Sequence, residues 1–184
     1  MFAGNCNDEA TLYYLYMMAD GEVSYSEEKI FEKICYELNV DADEQNAVIE
    51  KCKGLVKGKT DVFSIIIREK IDEQVGQGWF GLWDESSLAR IIWNLVDLGY
   101  ADSVYSDEEK KIVSYLVNKW SVREETYREL IDIADTILAL TKQKEWVVST
   151  YSRGSLRDKK EKDIDSEIEQ LLGDVKLTIE ELKM

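Results

Sequence analysis

The sequence predicts an all-α protein, a compact helical bundle of two pseudo-symmetric three-helix repeats with a linking helix between them and a C-terminal amphipathic helix. Three observations carry this. A motif recurs without a gap at an offset of 82 residues, once from Ala19 to Glu27 and again from Ala101 to Glu109. Ala19, Asp20, Ser24, Glu27, Lys29, Ile30, Val40 and Ile49 meet identical residues at Ala101, Asp102, Ser106, Glu109, Lys111, Ile112, Val122 and Ile131, and internal repetition of this kind fixes architecture before any other signal. The apolar residues around both copies step at helical spacing. Finally, the 184 residues contain no proline and are rich in helix formers.

The elements follow in order. Ala10, Tyr13, Tyr14 and Met17 define a helix near 8–19, with Ile92, Leu95, Val96 and Gly99 as their counterparts in a helix near 85–99. Ile30, Phe31, Ile34, Cys35 and Leu38 give a helix over 24–38, matched by Ile112, Val113, Leu116, Val117 and Trp120 over 106–120. Val48, Ile49, Cys52, Leu55 and Val56 give one over 42–57, matched by Leu130, Ile131, Ala134, Ile137 and Leu138 over 123–141. Val62 to Ile67 is β-branched, but the apolar spacing runs on through Arg68 to Ile71, so a helix near 61–75 is favoured over a strand. Gly76 to Asp84 joins the repeats, which span about 10–56 and 92–138. The repeat domain is thus expected over 1–141, followed by a linker and C-terminal helix over 142–184. Tyr151 to Ser155 reads as a turn. Beyond it Ile164, Ile168, Leu171, Val175, Ile179 and Leu182 form one apolar stripe. That stripe either packs back on the bundle or offers a seam to a partner or a second copy, giving a homodimer.

Each copy of the motif contains a capping box. Ser24 with Glu27, and Ser106 with Glu109, have the spacing at which the hydroxyl takes an orphan helix N–H and the carboxylate reaches back to the cap. Capping accounts for those four residues. Asp20 and Asp102 need another reason, because an acid just beyond a helix C-terminus meets an unfavourable dipole. Asp20 could close an Asx-turn while Gly21 supplies a left-handed cap. Ser103 stands at the corresponding position in the second copy, so that turn must differ or be strained.

The same spacing admits a cation. Asp20, Gly21, Val23 and Glu27 match the second half of an EF-hand loop, but its first two ligand positions fall on Tyr16 and Met18, or on Leu98 and Tyr100. Neither copy is an EF-hand, and a cation would need further oxygens from Glu22, Glu28, Asp107, Glu108 or the other repeat.

Charge narrows the partners. The formal net charge is −15, and residues 1–141 hold fourteen of those fifteen excess negatives. Such a surface disfavours nucleic acid and suits cations or basic protein surfaces. There is no histidine, which excludes histidine triads and HExxH zinc sites. No catalytic constellation is visible, so a non-enzymatic role is expected. The chain shows neither a membrane span of about 20 apolar residues nor a basic, apolar leader, which points to the cytoplasm. Cys6, Cys35 and Cys52 are expected as reduced thiols. Trp79, Trp83, Trp93, Trp120 and Trp146 are expected mainly in the core or the joint.

Two nucleotide-like motifs fail on context. Gly76-Gln77-Gly78-Trp79-Phe80-Gly81 follows a predicted helix rather than a strand. Gly54-Leu55-Val56-Lys57-Gly58-Lys59-Thr60 is one residue short of a phosphate loop and reads as a helix C-cap.

Ala19-Asp20-Gly21-Glu22-Val23-Ser24-x-x-Glu27, with Ile30 and Ile34 behind it and a partner at Ala101-Asp102 to Glu109, resembles the tellurite-resistance TerB-like family, which also includes the N-terminal domain of a membrane-anchored DnaJ-like co-chaperone. The resemblance covers residues 8–141. It implies a compact helical bundle, divalent-cation binding by acidic residues and a role in stress- or envelope-associated assemblies. Carried over by position, Asp20, Glu27, Asp102 and Glu109 become the candidate ligands, with Ca, Mg, Mn or Zn as the ion. The alternative is a metal-free protein–protein interaction module, of co-chaperone or scaffold type, using the acidic face and the C-terminal helix.

Overall fold

A computed structural model describes residues 6–19, 21, 23–58, 61–65, 84–103 and 105–182. All regular structure among them is helical: α1 (Cys6–Met17), α2 (Tyr25–Glu37), α3 (Ala42–Val56), α4 (Val62–Ile65), α5 (Glu85–Gly99), α6 (Asp107–Lys119), α7 (Glu124–Thr150) and α8 (Ser155–Glu181). The all-α expectation holds. Val62 to Ile65 is helix rather than strand, whereas most of the predicted 61–75 helix and the glycine-rich joint lie outside the described residues.

α1 and α5 form the centre of the bundle. Both are buried along most of their length, polar residues included. Tyr13, Leu15 and Tyr16 on α1, and Ile91, Ile92, Leu95 and Leu98 on α5, are fully buried. The two helices pack on each other, with α2 against both, α3 on α1, and α6 and α7 on α5. A polar network, buried except at the half-exposed Arg90, ties them together. The Glu9 carboxylate accepts both Arg90 N–H groups (2.6 and 3.0 Å) and the Tyr13 hydroxyl (2.6 Å), while Asn94 Nδ2 donates to Tyr13 Oη at 3.0 Å. Every member has a partner, as a buried polar group requires.

The helix ends repeat at the same offset as the sequence. After α2, Asn39 takes φ +58 and Val40 N–H reaches Cys35 O; after α6, Ser121 takes φ +54 and Val122 N–H reaches Val117 O. Both are Schellman closures whose following valine is buried. After α3, Lys57 closes the helix onto Lys53 O and Gly58 is left-handed (φ +75). That is the expected C-cap in place of a phosphate loop.

Two expectations change. α7 continues to Thr150 rather than ending at 141, because nothing from Lys142 onward breaks the helix and Val147 extends its buried face. The break narrows to Tyr151–Gly154. Trp146 is exposed (55%), edge-on to Tyr151, whereas Trp93 and Trp120 are buried as expected; Trp79 and Trp83 lie outside the described residues. α8 returns along α7 and crosses α5. Val175 is buried in the main core with Leu172 and Ile179 beside it, and Lys144–Asp165 (2.5 Å) and Thr178–Glu129 (3.0 Å) hold the hairpin. The apolar stripe of α8 therefore packs on its own bundle. None of the three cysteines forms a disulfide. Burial pushes the Cys35 thiol up to about 12, which keeps it protonated.

Candidate functional site

The acidic turns are built from the ends of α1 and α5. Ala19 N–H bonds Tyr16 O (2.9 Å) and Gly21 N–H bonds Met18 O (3.3 Å); in the second turn Ala101 N–H bonds Leu98 O (3.0 Å) and Ser103 N–H bonds Tyr100 O (3.1 Å). Gly21 has φ +104 and Ser103 has φ +71. The serine therefore adopts the left-handed backbone that the first copy gives to glycine. The turn is preserved at the cost of strain.

Both capping boxes are formed. Ser24 N–H donates to Glu27 Oε2 (2.7 Å) and Glu27 N–H to Ser24 Oγ (3.2 Å); Ser106 N–H donates to Glu109 Oε2 (2.8 Å) and Glu109 N–H to Ser106 Oγ (3.2 Å). Glu27 and Glu109 are each only 3% exposed. Asp102 is exposed in its turn. Asp20 lies outside the described residues. Carboxylate donors of this kind suit a hard divalent cation, but each buried glutamate already commits one oxygen to its cap. Among the described residues no three Cys, Asp or Glu side chains form a group that could hold a metal ion.

The second turn also forms one wall of a cleft of about 460 Å³ that sequence reasoning missed. Tyr100 and Tyr105 come from the turn, their rings 4.8 Å apart and tilted by 41°. Tyr127, Asp132 and Asp135 come from α7, and the Tyr100 hydroxyl donates to Asp135 Oδ1 at 2.7 Å. Beneath lies Tyr16 of α1, fully buried. Gly99 makes this close approach feasible, since a Cβ there would stand 2.5 Å from Tyr16 Oη and 2.7 Å from the Tyr105 ring. The Tyr16 and Tyr105 hydroxyl oxygens are sealed from solvent without a well-formed hydrogen bond. Burial raises both phenols well above their ordinary range; it raises Tyr100 too, reinforced by its bond to Asp135. All three stay neutral at physiological pH. The signal for the cleft was divergence between the copies: Met18, Val23 and Gln45 stand where the second has Tyr100, Tyr105 and Tyr127.

A family model described as tellurite resistance protein TerB matches residues 9–132. The chain belongs to the TerB family. No curated protein and no solved structure matches it. The TerB match takes in both acidic turns and the cleft apart from Asp135, and ends inside α7. α8 and the α7–α8 turn lie beyond it. No helix among the described residues is long and apolar enough to cross a membrane.

Proposed function

We propose that this TerB-family protein is non-enzymatic, binds a divalent cation at its duplicated acidic turns, and works within a protein assembly in a tellurite- or stress-resistance role. The observation that carries this reading is the left-handed Ser103 beside exposed Asp102, in the same turn geometry as Gly21 beside Asp20. An unfavourable conformation kept at an exposed acidic turn favours a role for that turn beyond packing. The concentration of excess negative charge in residues 1–141 supports the same reading, and the absence of histidine from the chain supports a non-enzymatic one. A second reading, a metal-free interaction module, is favoured by the engagement of Glu27 and Glu109 in capping boxes.

Melting temperature measured with and without millimolar Ca²⁺, Mg²⁺, Mn²⁺ or Zn²⁺ separates the two. An ion present at a hundred times its dissociation constant stabilises the fold by about 2.7 kcal/mol. The expected outcome is a rise in midpoint with at least one ion, lost in Asp20→Asn/Asp102→Asn. These two substitutions leave both capping boxes intact. No shift with any ion overturns the cation reading and leaves the interaction module.

A further inference from the structure

We infer that the tyrosine-walled cleft between the second acidic turn and α7 is a docking site for a basic polypeptide segment, which lays one arginine side chain against the tyrosine rings and further basic residues along α7. The chemistry is that of a cation on aromatic faces with carboxylates at the rim. Lys110 Nζ already lies over the Tyr105 ring, 5.4 Å from its centroid. A cation is thus tolerated on this ring, loosely held by a flexible exposed chain that an incoming one can displace.

The charges of the cleft are not balanced once their partners are assigned. Its two cations are occupied: Arg128 pairs with Glu124 at 2.5 Å, and Lys110 lies 3.9 Å from Asp107. Its acids are not. Among the described residues Asp135 accepts only the neutral Tyr100 hydroxyl, and the exposed Asp132 carboxylate has no hydrogen bond or ion pair. With Asp107 and Glu124 counted, four carboxylates stand around two cations, so the cleft is aromatic with a net negative rim, which favours a cation over an anion.

The occupant is a peptide rather than a small amine because the negative surface continues. Asp132 and Arg128 are shared with a second depression of about 520 Å³ between α7 and α8, where the Glu125 and Asp174 carboxylates are likewise without a described partner. A chain with several basic residues can meet both depressions at once. Arginine fits better than lysine, since a planar guanidinium stacks on tyrosine while bonding a carboxylate edge. The first copy carries no equivalent: Met18, Val23, Gln45 and Lys53 stand at the positions of Tyr100, Tyr105, Tyr127 and Asp135. The inference does not rest on the divalent-cation reading.

The test is fluorescence anisotropy of a labelled oligo-arginine peptide titrated with the full chain, in EDTA, with an oligo-lysine peptide of equal length beside it. The wild type is expected to bind oligo-arginine more tightly than oligo-lysine. Asp132→Asn/Asp135→Asn should weaken oligo-arginine binding several-fold, as the loss of two rim charges implies. Tyr127→Leu, checked for folding by its melting curve, should weaken it about tenfold, as loss of an aromatic anchor does, and should erase the arginine preference. Asp43→Asn/Glu50→Gln removes the same charge from α3 and should change binding little. Equal weakening by the cleft and α3 variants would reduce the interaction to bulk charge and overturn the proposal. So would the absence of oligo-arginine binding, or binding without preference for arginine.

Discussion

The two acidic turns share a backbone and differ in what is built on it. Each closes a central helix with the same pair of hydrogen bonds, places a left-handed residue after an aspartate position, and starts the next helix with a capping box. The first copy uses the residues that left-handed positions favour, Gly21 and later Asn39. The second uses Ser103 and Ser121 at the same places. It also replaces Met18 and Val23 with Tyr100 and Tyr105, and sets polar Asp97 where the first has the fully buried Leu15. The turn geometry is thus common to both copies, whereas the aromatic and polar departures are confined to the second.

The largest expected effect comes from filling the space that permits those departures. Gly99→Ala puts a methyl group against Tyr16, which cannot move in the core, and against the Tyr105 ring. Overpacking of this kind costs about 1–3 kcal/mol, so denaturant titration should show a lower midpoint together with altered tyrosine fluorescence. A neutral substitution would mean that the tyrosine cluster is loose, and the contrast between the turns would weaken.

Exchanging the left-handed residues sharpens the comparison, because the two changes should have opposite signs. Gly21→Ser forces a side chain into φ +104 and should destabilise by about 1 kcal/mol. Ser103→Gly relieves strain at φ +71 and should stabilise by about half that, since glycine also gains entropy in the unfolded chain. Thermal melts of the two single variants decide this. If Ser103→Gly destabilises, the serine side chain is contributing something beyond its backbone.

How far this was legible follows from which interactions are local. The capping boxes could be read because Ser24 with Glu27 and Ser106 with Glu109 bond across three residues, and the helices could be read because apolar spacing records which face is covered. The cleft could not, since Tyr16, Tyr100, Tyr105, Tyr127 and Asp135 meet only when three helix ends converge. The α1–α5 network was hidden for the same reason, Glu9 and Arg90 being 81 residues apart. The end of α7 is hidden because the repeat stops giving a register near 141, while the helix runs on to Thr150 up to the turn at Tyr151–Gly154.

The smallest expected effect concerns Asp97, which lines a cavity of about 290 Å³ under α8. Burial holds its carboxyl above the ordinary value of 3.8; Lys33 lowers it and Glu37 raises it. The folded state therefore binds that proton more tightly than the unfolded chain. Stability should fall as pH rises from 3.8 through the raised folded value. Asp97→Asn removes this cost, so its melting temperature should exceed that of the wild type at neutral pH, with the gain vanishing below pH 3.8. A gain that persists in acid would assign the effect to packing rather than charge.

Backbone amide spectra of the ¹⁵N-labelled chain decide whether the two turns share one role while the second has an additional one. Titrated with a divalent cation, the amides of Gly21 and Ser103 should both move; titrated with oligo-arginine, Ser103, Tyr105 and Tyr127 should move while Gly21 stays in place. A peptide that shifts Gly21 as much as Ser103, or a set of cations that shifts neither turn, would contradict this assignment of roles.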